Sequence, residues 1–298
     1  MIGISVLIPV YQHNPSVLIL ELHKQLSATS IPFEIQVLDD ASNVNYFSDW
    51  SSSLHTLSNC TINRLDENQG RSGIRNLLVQ EAKYNWLLFL DADTSLCSDS
   101  YIQQFLPFLS DSYDAVCGGT AYRKTLNDST HSLRWKYGKA REEKSAALRN
   151  MCPFKNFTLN NLLIQKDCLL KFPLDISIRD YGHEDTVLGM VLEQHKIRIK
   201  HIDNFVFHDG LDTNDVFLSK IIQSVHTLVD LYRKRKLTED TNLIQHYKKL
   251  HLLKMDALFF FLLKPFIPLF NKNLTGKNPS LFLLDLLKLW HFINKIRS

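Results

Sequence analysis

The chain has 298 residues, 45% of them hydrophobic and 22% charged, an ordinary globular composition with room for one large domain or a domain plus an appendage. The net charge of +3 conceals a split: residues 1–230 carry 21 Lys/Arg against 27 Asp/Glu, whereas residues 231–298 carry 13 against 4. A basic tail of this kind suits an anionic partner, either membrane headgroups or nucleic acid. The five cysteines (Cys60, Cys97, Cys117, Cys152, Cys168) are scattered, odd in number and without a CxxC pair, so they read as reduced thiols of a cytosolic protein.

The N-terminus reads as a first strand rather than a signal peptide: Ile4 to Val10 is a β-branched apolar run closed by Pro9-Val10-Tyr11. Asn14-Pro15 marks a turn, and Val17 to Leu26 has helical apolar spacing with Ser16 as N-cap. Phe33 to Leu38 is a second strand running straight into Asp39-Asp40. Asp49 to Leu57 reads as helix, Thr61 to Leu65 as a short strand, and Gly70 to Lys83 as a helix opening from a glycine-containing loop. Trp86 to Leu90 is apolar throughout, as expected of a strand buried on both faces. Strands alternating with helices predict βαβ units, right-handed crossovers and an α/β fold with a mainly parallel sheet.

Beyond Asp93 the pattern loosens. Tyr101 to Leu109 reads as helix and Ala115 to Arg123 as strand. Asn127 to Met151 is polar; its middle, Arg134 to Leu148, predicts a mobile helix exposed on most sides. Phe157 to Gln165 resumes an apolar pattern, Glu184 to His195 reads as helix, and Ile197 to Ile202 and Asn204 to His208 as strands. From Val216 onward the pattern is nearly all helical, with no apolar stretch that reads as a membrane span.

Polar groups gather where these strands end. Leu87 to Leu90 gives way abruptly to Asp91-Ala92-Asp93. Ligands of an open α/β sheet bind at the carboxyl ends of its strands, and paired carboxylates there suit a hard cation held against phosphate oxygens. On its own the triplet reads equally as a turn cap. Three further places join it: Pro9-Val10-Tyr11, Asp39-Asp40, and the loop Glu67 to Arg71 with its helix carrying Arg75-Asn76. Asp39-Asp40 also fits a helix cap and Arg75 a surface ion pair. Together they describe a nucleotide pocket: an aspartate accepts from a base N–H, an arginine offers paired donors to a carbonyl or phosphate, and Gly70 lets backbone approach a ligand closely.

Ser5-Val-Leu-Ile-Pro-Val-Tyr11, Val37-Leu-Asp-Asp-Ala-Ser42, Glu67 to Asn76 and Leu88 to Asp93 resemble, in order and spacing, the motifs of family-2 glycosyltransferases with the GT-A fold, over roughly residues 4–210. The resemblance implies a Rossmann-like, mainly parallel sheet flanked by helices, with residues 1–210 as catalytic domain and 211–298 as a helical extension. It implies that Asp39 or Asp40 binds a uracil-type base, that Arg71 and Arg75 lie near the nucleotide, and that Asp91 sits by the ribose and metal. Asp93 would ligate a divalent metal, Mn2+ or Mg2+. Pro9, Val10, Tyr11, Gly70 and Ala92 complete the implied nucleotide site. Ala41 departs from the family pattern, in which glycine is usual there.

A fifth element, Tyr181-Gly182-His183-Glu184-Asp185, opens a helix. The helix dipole alone favours carboxylates in that first turn, but it does not account for Gly182. The resemblance implies that Asp185 is the general base, with Glu184 orienting the acceptor hydroxyl and standing as the alternative base. It also implies that His208, at a strand end, is a metal ligand, a role imidazole suits; His183 is the weaker candidate. Asn160-Asn161 are candidates for the donor-sugar pocket, and Trp135 and Tyr137 for stacking on a sugar.

In the tail, Leu231 to Lys236 is a basic cluster. Ala257 to Phe270 is very apolar but broken by Lys264, Pro265 and Pro268, and Ser280 to Ile296 has helical apolar spacing with Lys288, Lys295 and Arg297. These segments read as interfacial helices with a basic face, as a helical cap, or as a dimer interface. The expectation is a metal-dependent inverting transferase that takes a nucleotide sugar, UDP-linked, to a glycan or lipid-linked glycan, cytoplasmic and peripheral on the inner membrane face. A sugar-nucleotide nucleotidyltransferase would want a glycine-rich basic loop after the first strand, where Tyr11 to Pro15 has neither glycine nor arginine. A non-catalytic glycan-binding protein is the third reading. Nucleic-acid binding is not expected, because the tail's aromatics sit in apolar runs apart from its basic cluster.

Overall fold

A computed structural model describes residues 2–110, 112–237 and 241–298. The elements begin β1 (Ile4–Val10), α1 (Ser16–Ser27), β2 (Phe33–Asp39), α2 (Val44–Ser51), β3 (Cys60–Arg64), α3 (Gly70–Glu81), β4 (Trp86–Leu90) and β5 (Thr94–Leu96). They continue with α4 (Tyr101–Phe105), β6 (Ala115–Cys117), β7 (Thr120–Ala121), α5 (Ser132–Tyr137), α6 (Ala146–Asn150), β8 (Asn161–Gln165), α7 (Lys166–Lys171) and α8 (Glu184–Gln194). Next come β9 (Ile199–His201), β10 (Val206–His208), α9 (Asn214–Arg233), α10 (Asn242–Leu252), α11 (Asp256–Leu263), α12 (Ile267–Leu274) and α13 (Leu281–Arg297). The helical stretch expected from Val216 onward crosses residues 238–240, which lie outside the described residues.

The chain forms two compact units. The first comprises residues up to 122 with 143–179 and 184–210; the second comprises 123–142, 180–183 and 211–298. In the first, seven strands form one sheet in the order β3-β2-β1-β4-β8-β6-β9, parallel except for β8, which runs antiparallel to both neighbours. This is the α/β architecture, a mainly parallel sheet flanked by helices, that the sequence pattern predicts. Period-two alternation along the central strands splits the core between the two faces. Val6 and Ile8 of β1 with Leu88 and Leu90 of β4 face α1 and α4, while Leu7, Leu87 and Phe89 face α3 and α8. Each fully buried side chain of this kind contributes ~1.5–3 kcal/mol, so a two-sided sheet can hold polar groups at its strand ends without losing its framework.

Local departures from the expected elements have identifiable causes. Ser16 is the first residue of α1 rather than its cap: Pro15 holds the N-cap position, and Asn14 Oδ1, one residue further back, accepts from the Ser16 amide. The helix expected at 49–57 begins earlier because Asn43 accepts from the amides of Asn45 and Tyr46, a cap worth ~1 kcal/mol. The strand expected over 115–123 breaks into β6 and β7 at Gly118-Gly119. Gly119 has φ +93°, and a Cβ there would lie 2.6 Å from Arg149 Nη2. Arg149 is buried and donates from Nη1 to Cys117 O and from Nη2 to Gly118 O and Ile202 O, the carbonyl cage a buried guanidinium requires. The helix expected over 134–148 is α5, a π-helical turn at Gly138–Glu142 and then α6. β5, unforeseen in the sequence, pairs antiparallel with β10, which also pairs with β7 in a small second sheet.

The second unit is built round α13. Leu284, Leu287, Phe292 and Ile293 are all buried, against α9, α10 and α12. The interfacial reading of 280–296 therefore does not describe α13, whose apolar stripe is core. Tyr137 is likewise inside this unit, edge-on to Phe217 with Lys288 over its ring, so it offers no free face to a sugar. Trp135 donates from its indole to Arg123 O. Asn214 joins segments of the unit by accepting from the Leu133 amide at 2.7 Å and donating to Gly276 O at 3.0 Å.

Candidate functional site

The ends of β1, β2 and β4 lie side by side, Val10 opposite Asp39 in the β1/β2 register. Val10 is buried and its carbonyl accepts from the Asp40 amide; Tyr11 is 58% exposed at the rim. The adjacent carboxylates differ sharply. Asp40 accepts from the amides of Gln69 at 2.6 Å and Gly70 at 3.0 Å, and so ties the β2 end to the loop that opens α3. Gly70 holds φ +72° in that loop with open space where a side chain would be. Burial raises the Asp40 carboxyl against these bonds. Asp39, fully buried, uses Oδ1 on the Ser42 amide, while its Oδ2 meets no donor among the described residues. An unsatisfied buried oxygen costs ~1–3 kcal/mol, which a ligand N–H would recover. Ala41 has φ +63°, which explains why glycine is the usual residue there.

Helix α3 aims two arginines at two carboxylates one turn apart. Arg71 Nη1 donates to Glu184 Oε1 at 3.0 Å, and Arg75 Nη2 to Asp91 Oδ1 at 2.6 Å. Arg75 is buried and also donates to Arg71 O. Its principal bond is to Asp91, which it orients.

Glu184 and Asp185 open α8, favoured there by the helix dipole. They face different surroundings. Burial pushes Glu184 up, but Arg71 and Arg75 outweigh it, and its carboxyl lies below its ordinary value. Asp185 has dense protein around it although part of its surface stays open. This desolvation, with the Glu184 charge beside it, raises its carboxyl to about 7. Its one hydrogen-bond donor among the described residues is the Leu159 amide, at 3.3 Å from Oδ2. Of the residues just ahead of the pair, Gly182 (φ +97°) lies close to Ser224, and His183 (φ +73°) hydrogen-bonds Ser224 O at 3.1 Å. His183 is thus held in the second unit.

Asp93 follows the half-buried Asp91 and the buried Ala92. The β5/β10 pairing sets His208 opposite Thr94, and His208 Nδ1 lies 3.5 Å from Asp93 Oδ1. The Asp93 carbonyl accepts from the amides of Asp209 and Gly210. A Cβ at Gly210 would fall 2.5 Å from Asp93 Oδ2, so only glycine fits behind the carboxylate. An imidazole and a carboxylate at this separation fit a divalent ion such as Mn2+. No group of three or more His, Cys, Asp or Glu gathers among the described residues, so the remaining positions would fall to phosphate oxygens and water. Asn160, whose carbonyl accepts from the Asp91 amide, donates from Nδ2 to Thr120 Oγ1 and has a buried Oδ1 that meets no donor among the described residues. Asn161 is spent internally on Tyr101, Gly119 and Asn204.

The sequence did not single out a role for Gly210; a lone glycine after a strand carries no signal of what stands behind it. The arginine–carboxylate pairing was also missed. The four-residue spacing of Arg71 and Arg75 shows that they share a helix face, but their partners lie far off in sequence.

Residues 5–162 match the family model of glycosyl transferase family 2. No curated protein matches the sequence. Among solved structures, the mannosyltransferase PcManGT from Pyrobaculum calidifontis, in complex with GDP-Man and Mn2+, superposes with TM-score 0.52 at 17% identity. The match covers 78% of this chain and 63% of that one. Residues 1–349 of S. aureus TarS in complex with UDP give TM-score 0.51 at 16% identity, over 99% and 91% of the two chains. A second S. aureus TarS structure gives 0.50 at 18%, over 81% and 45%. The chain therefore spans less than two thirds of the mannosyltransferase and of the latter TarS chain. At these identities the likeness is one of fold.

Proposed function

The chain belongs to glycosyl transferase family 2, and we propose that it moves a sugar from a nucleotide-sugar donor of the UDP class to a hydroxyl of a glycan or lipid-linked glycan, with a divalent metal and inversion. The observation that carries this reading is the division of labour in the Glu184–Asp185 pair: one carboxylate is held ionised by Arg71, and the other is poised near neutrality. A sugar hydroxyl is a weak nucleophile. A base whose pKa lies near the working pH contributes ~10²–10⁴-fold by taking its proton in the transition state.

In this mechanism Asp185 accepts the acceptor's hydroxyl proton as its oxygen attacks the anomeric carbon. Glu184, fixed by Arg71, orients the acceptor by accepting from a neighbouring hydroxyl. Asp39 Oδ2 accepts from the base N–H, and Val10 and Tyr11 flank the nucleoside. Arg75 keeps Asp91 turned toward the ribose side. Asp93 and His208 would hold the metal, which when bound neutralises charge on the departing diphosphate. Attack and departure on opposite faces of the anomeric carbon give inversion in one displacement, with no covalent enzyme intermediate. Asn160 Oδ1 accepts from a donor-sugar hydroxyl. The acceptor is placed at an anionic membrane face, which the chain meets through its basic C-terminal unit.

The test is release of nucleoside diphosphate from a panel of UDP-, GDP- and CDP-sugars in Mn2+. Slow UDP release that is accelerated by acceptor and lost in Asp185→Asn is expected; release from none of the panel rejects the reading.

A further inference from the structure

Helix α11 is apolar on every side. Residues 257–263 read Ala-Leu-Phe-Phe-Phe-Leu-Leu, yet none of its residues is buried. A helix hydrophobic all round belongs inside a protein or inside lipid. Its inner half is accounted for: Phe259 and Phe260 pack against the cluster around Phe292, while Leu263 and Ile267 pack against Phe270 and Leu274. Trp290 stacks on Phe260 at 5.1 Å with rings 10° apart and donates to its carbonyl, so the helix rests on a firm base. The outer half repeats at three- and four-residue steps through the turn at Lys264–Phe266 and into α12. Leu258, Phe261, Leu262, Phe266 and Leu269 are each 50–60% exposed along this one stripe. Leu252 and Leu253, at the end of α10, are 83% and 65% exposed just before it. Scattered exposed leucines need no explanation, but a continuous stripe of them marks an interaction surface.

The stripe cannot be a span, since no described helix is long and apolar enough to cross a membrane. Its border selects the partner. Lys249, Lys254, Lys264 and Lys272, on the same helices or the turns that join them, are all exposed. The one acidic residue between positions 241 and 284 is Asp256, which lies 3.5 Å from His251. A two-fold pairing with a second copy would set this cationic border against itself, whereas anionic headgroups would neutralise it.

We propose that the outer stripe of α11 and α12, with its lysine border, docks the protein in the plane of a lipid bilayer carrying anionic headgroups. Leu258, Phe261, Leu262, Phe266 and Leu269 enter the acyl boundary while Lys254 and Lys264 remain at the headgroups. This deepens the placement of the acceptor at a membrane face and rests on that reading. It assigns the contact to one stripe and gives α13 the part of internal support.

The experiment is flotation of the full chain with vesicles of phosphatidylcholine plus phosphatidylglycerol and with phosphatidylcholine alone. The variants are Phe261→Ser with Leu262→Ser, and Lys254→Glu with Lys264→Glu; every protein is also titrated with UDP and sedimented without lipid. Expected are binding to the anionic vesicles, a loss of about tenfold or more in partitioning for each double variant, and unchanged UDP affinity. The altered side chains are solvent-exposed, so the fold should persist, and retained UDP affinity verifies it. A wild-type chain that ignores anionic vesicles, or serine variants that float as well as wild type, overturns the proposal. A lipid-free dimer dissolved by the serine pair would identify a second copy as the occupant and overturn it too. Vesicle binding by a chain that releases no nucleotide from any donor would refute the transferase reading and leave this surface standing.

Discussion

Replacing Asp185 by asparagine should separate stability from catalysis in opposite directions. In the folded chain this carboxyl keeps its proton up to about pH 7, whereas an unfolded aspartate releases it near 3.9. The favourable contribution of the protonated form is therefore whole below about pH 4 and is lost as pH rises through 7, where folding holds a poorly solvated carboxylate beside Glu184. The rise from 3.8 to about 7 corresponds, at ~1.4 kcal/mol per tenfold, to an upper bound of ~4 kcal/mol. Water at the open edge of Asp185 lowers that, and ~1–2 kcal/mol is the working expectation. Asparagine has the same shape and no charge. At pH 8.5 the variant should melt a few degrees above wild type, and at pH 4 the two should coincide. Sugar transfer should fall by ~10²-fold or more above pH 7, where the wild-type carboxyl is ionised, and the gap should narrow as pH falls, while UDP affinity stays within a few fold. In the wild type, kcat should rise with pH through about 7. Thermal unfolding across pH beside a transfer assay reads all of this. A variant that is no more stable at pH 8.5, or one with near-normal turnover, refutes the assignment.

Other outcomes follow from the same geometry. Asp39→Asn would present a donor to the base N–H; calorimetry should show UDP binding weakened by ~10-fold or more, and unchanged affinity would remove Asp39 from the base site. His208→Ala should lower UDP affinity in Mn2+ but not in chelator, and an equal loss in both would exclude a metal-ligand role. Ala41→Gly relieves a left-handed alanine costing ~1–2 kcal/mol against ~0.4–1 kcal/mol of added unfolded-state entropy. Denaturant unfolding should show a gain of ~0.5 kcal/mol, and a loss would contradict that balance. Arg75→Met should reduce kcat by misorienting Asp91 and also destabilise the fold. A variant with normal kcat would leave Arg75 structural only.

The strands were legible because burial on two faces writes itself as unbroken apolar runs, and four of the motifs sit where those runs stop. The reversal of β8 was not legible, since a short apolar strand reads alike in either direction. Nor could sequence divide Asp39 from Asp40. The distinction is made by the amides of Gln69 and Gly70, some thirty residues on. The expected helix across 134–148 is interrupted between Gly138 and Ser145, ahead of α6, whose Arg149 looks solvated in sequence and is caged by carbonyls in the fold. Helices α11 and α13 both looked interfacial, because an apolar stripe does not say whether protein or lipid covers it. Packing assigns α13 to the core and leaves the outer stripe of α11 uncovered.

The proposed function rests on a nucleotide pocket at the ends of β1, β2 and β4 with Asp93 and His208 as metal donors. It is tested most directly by calorimetric titration of the purified chain with UDP in Mn2+ and again in chelator. Binding that depends on the metal is the predicted result; binding of equal strength in chelator, or no binding in either condition, would contradict it.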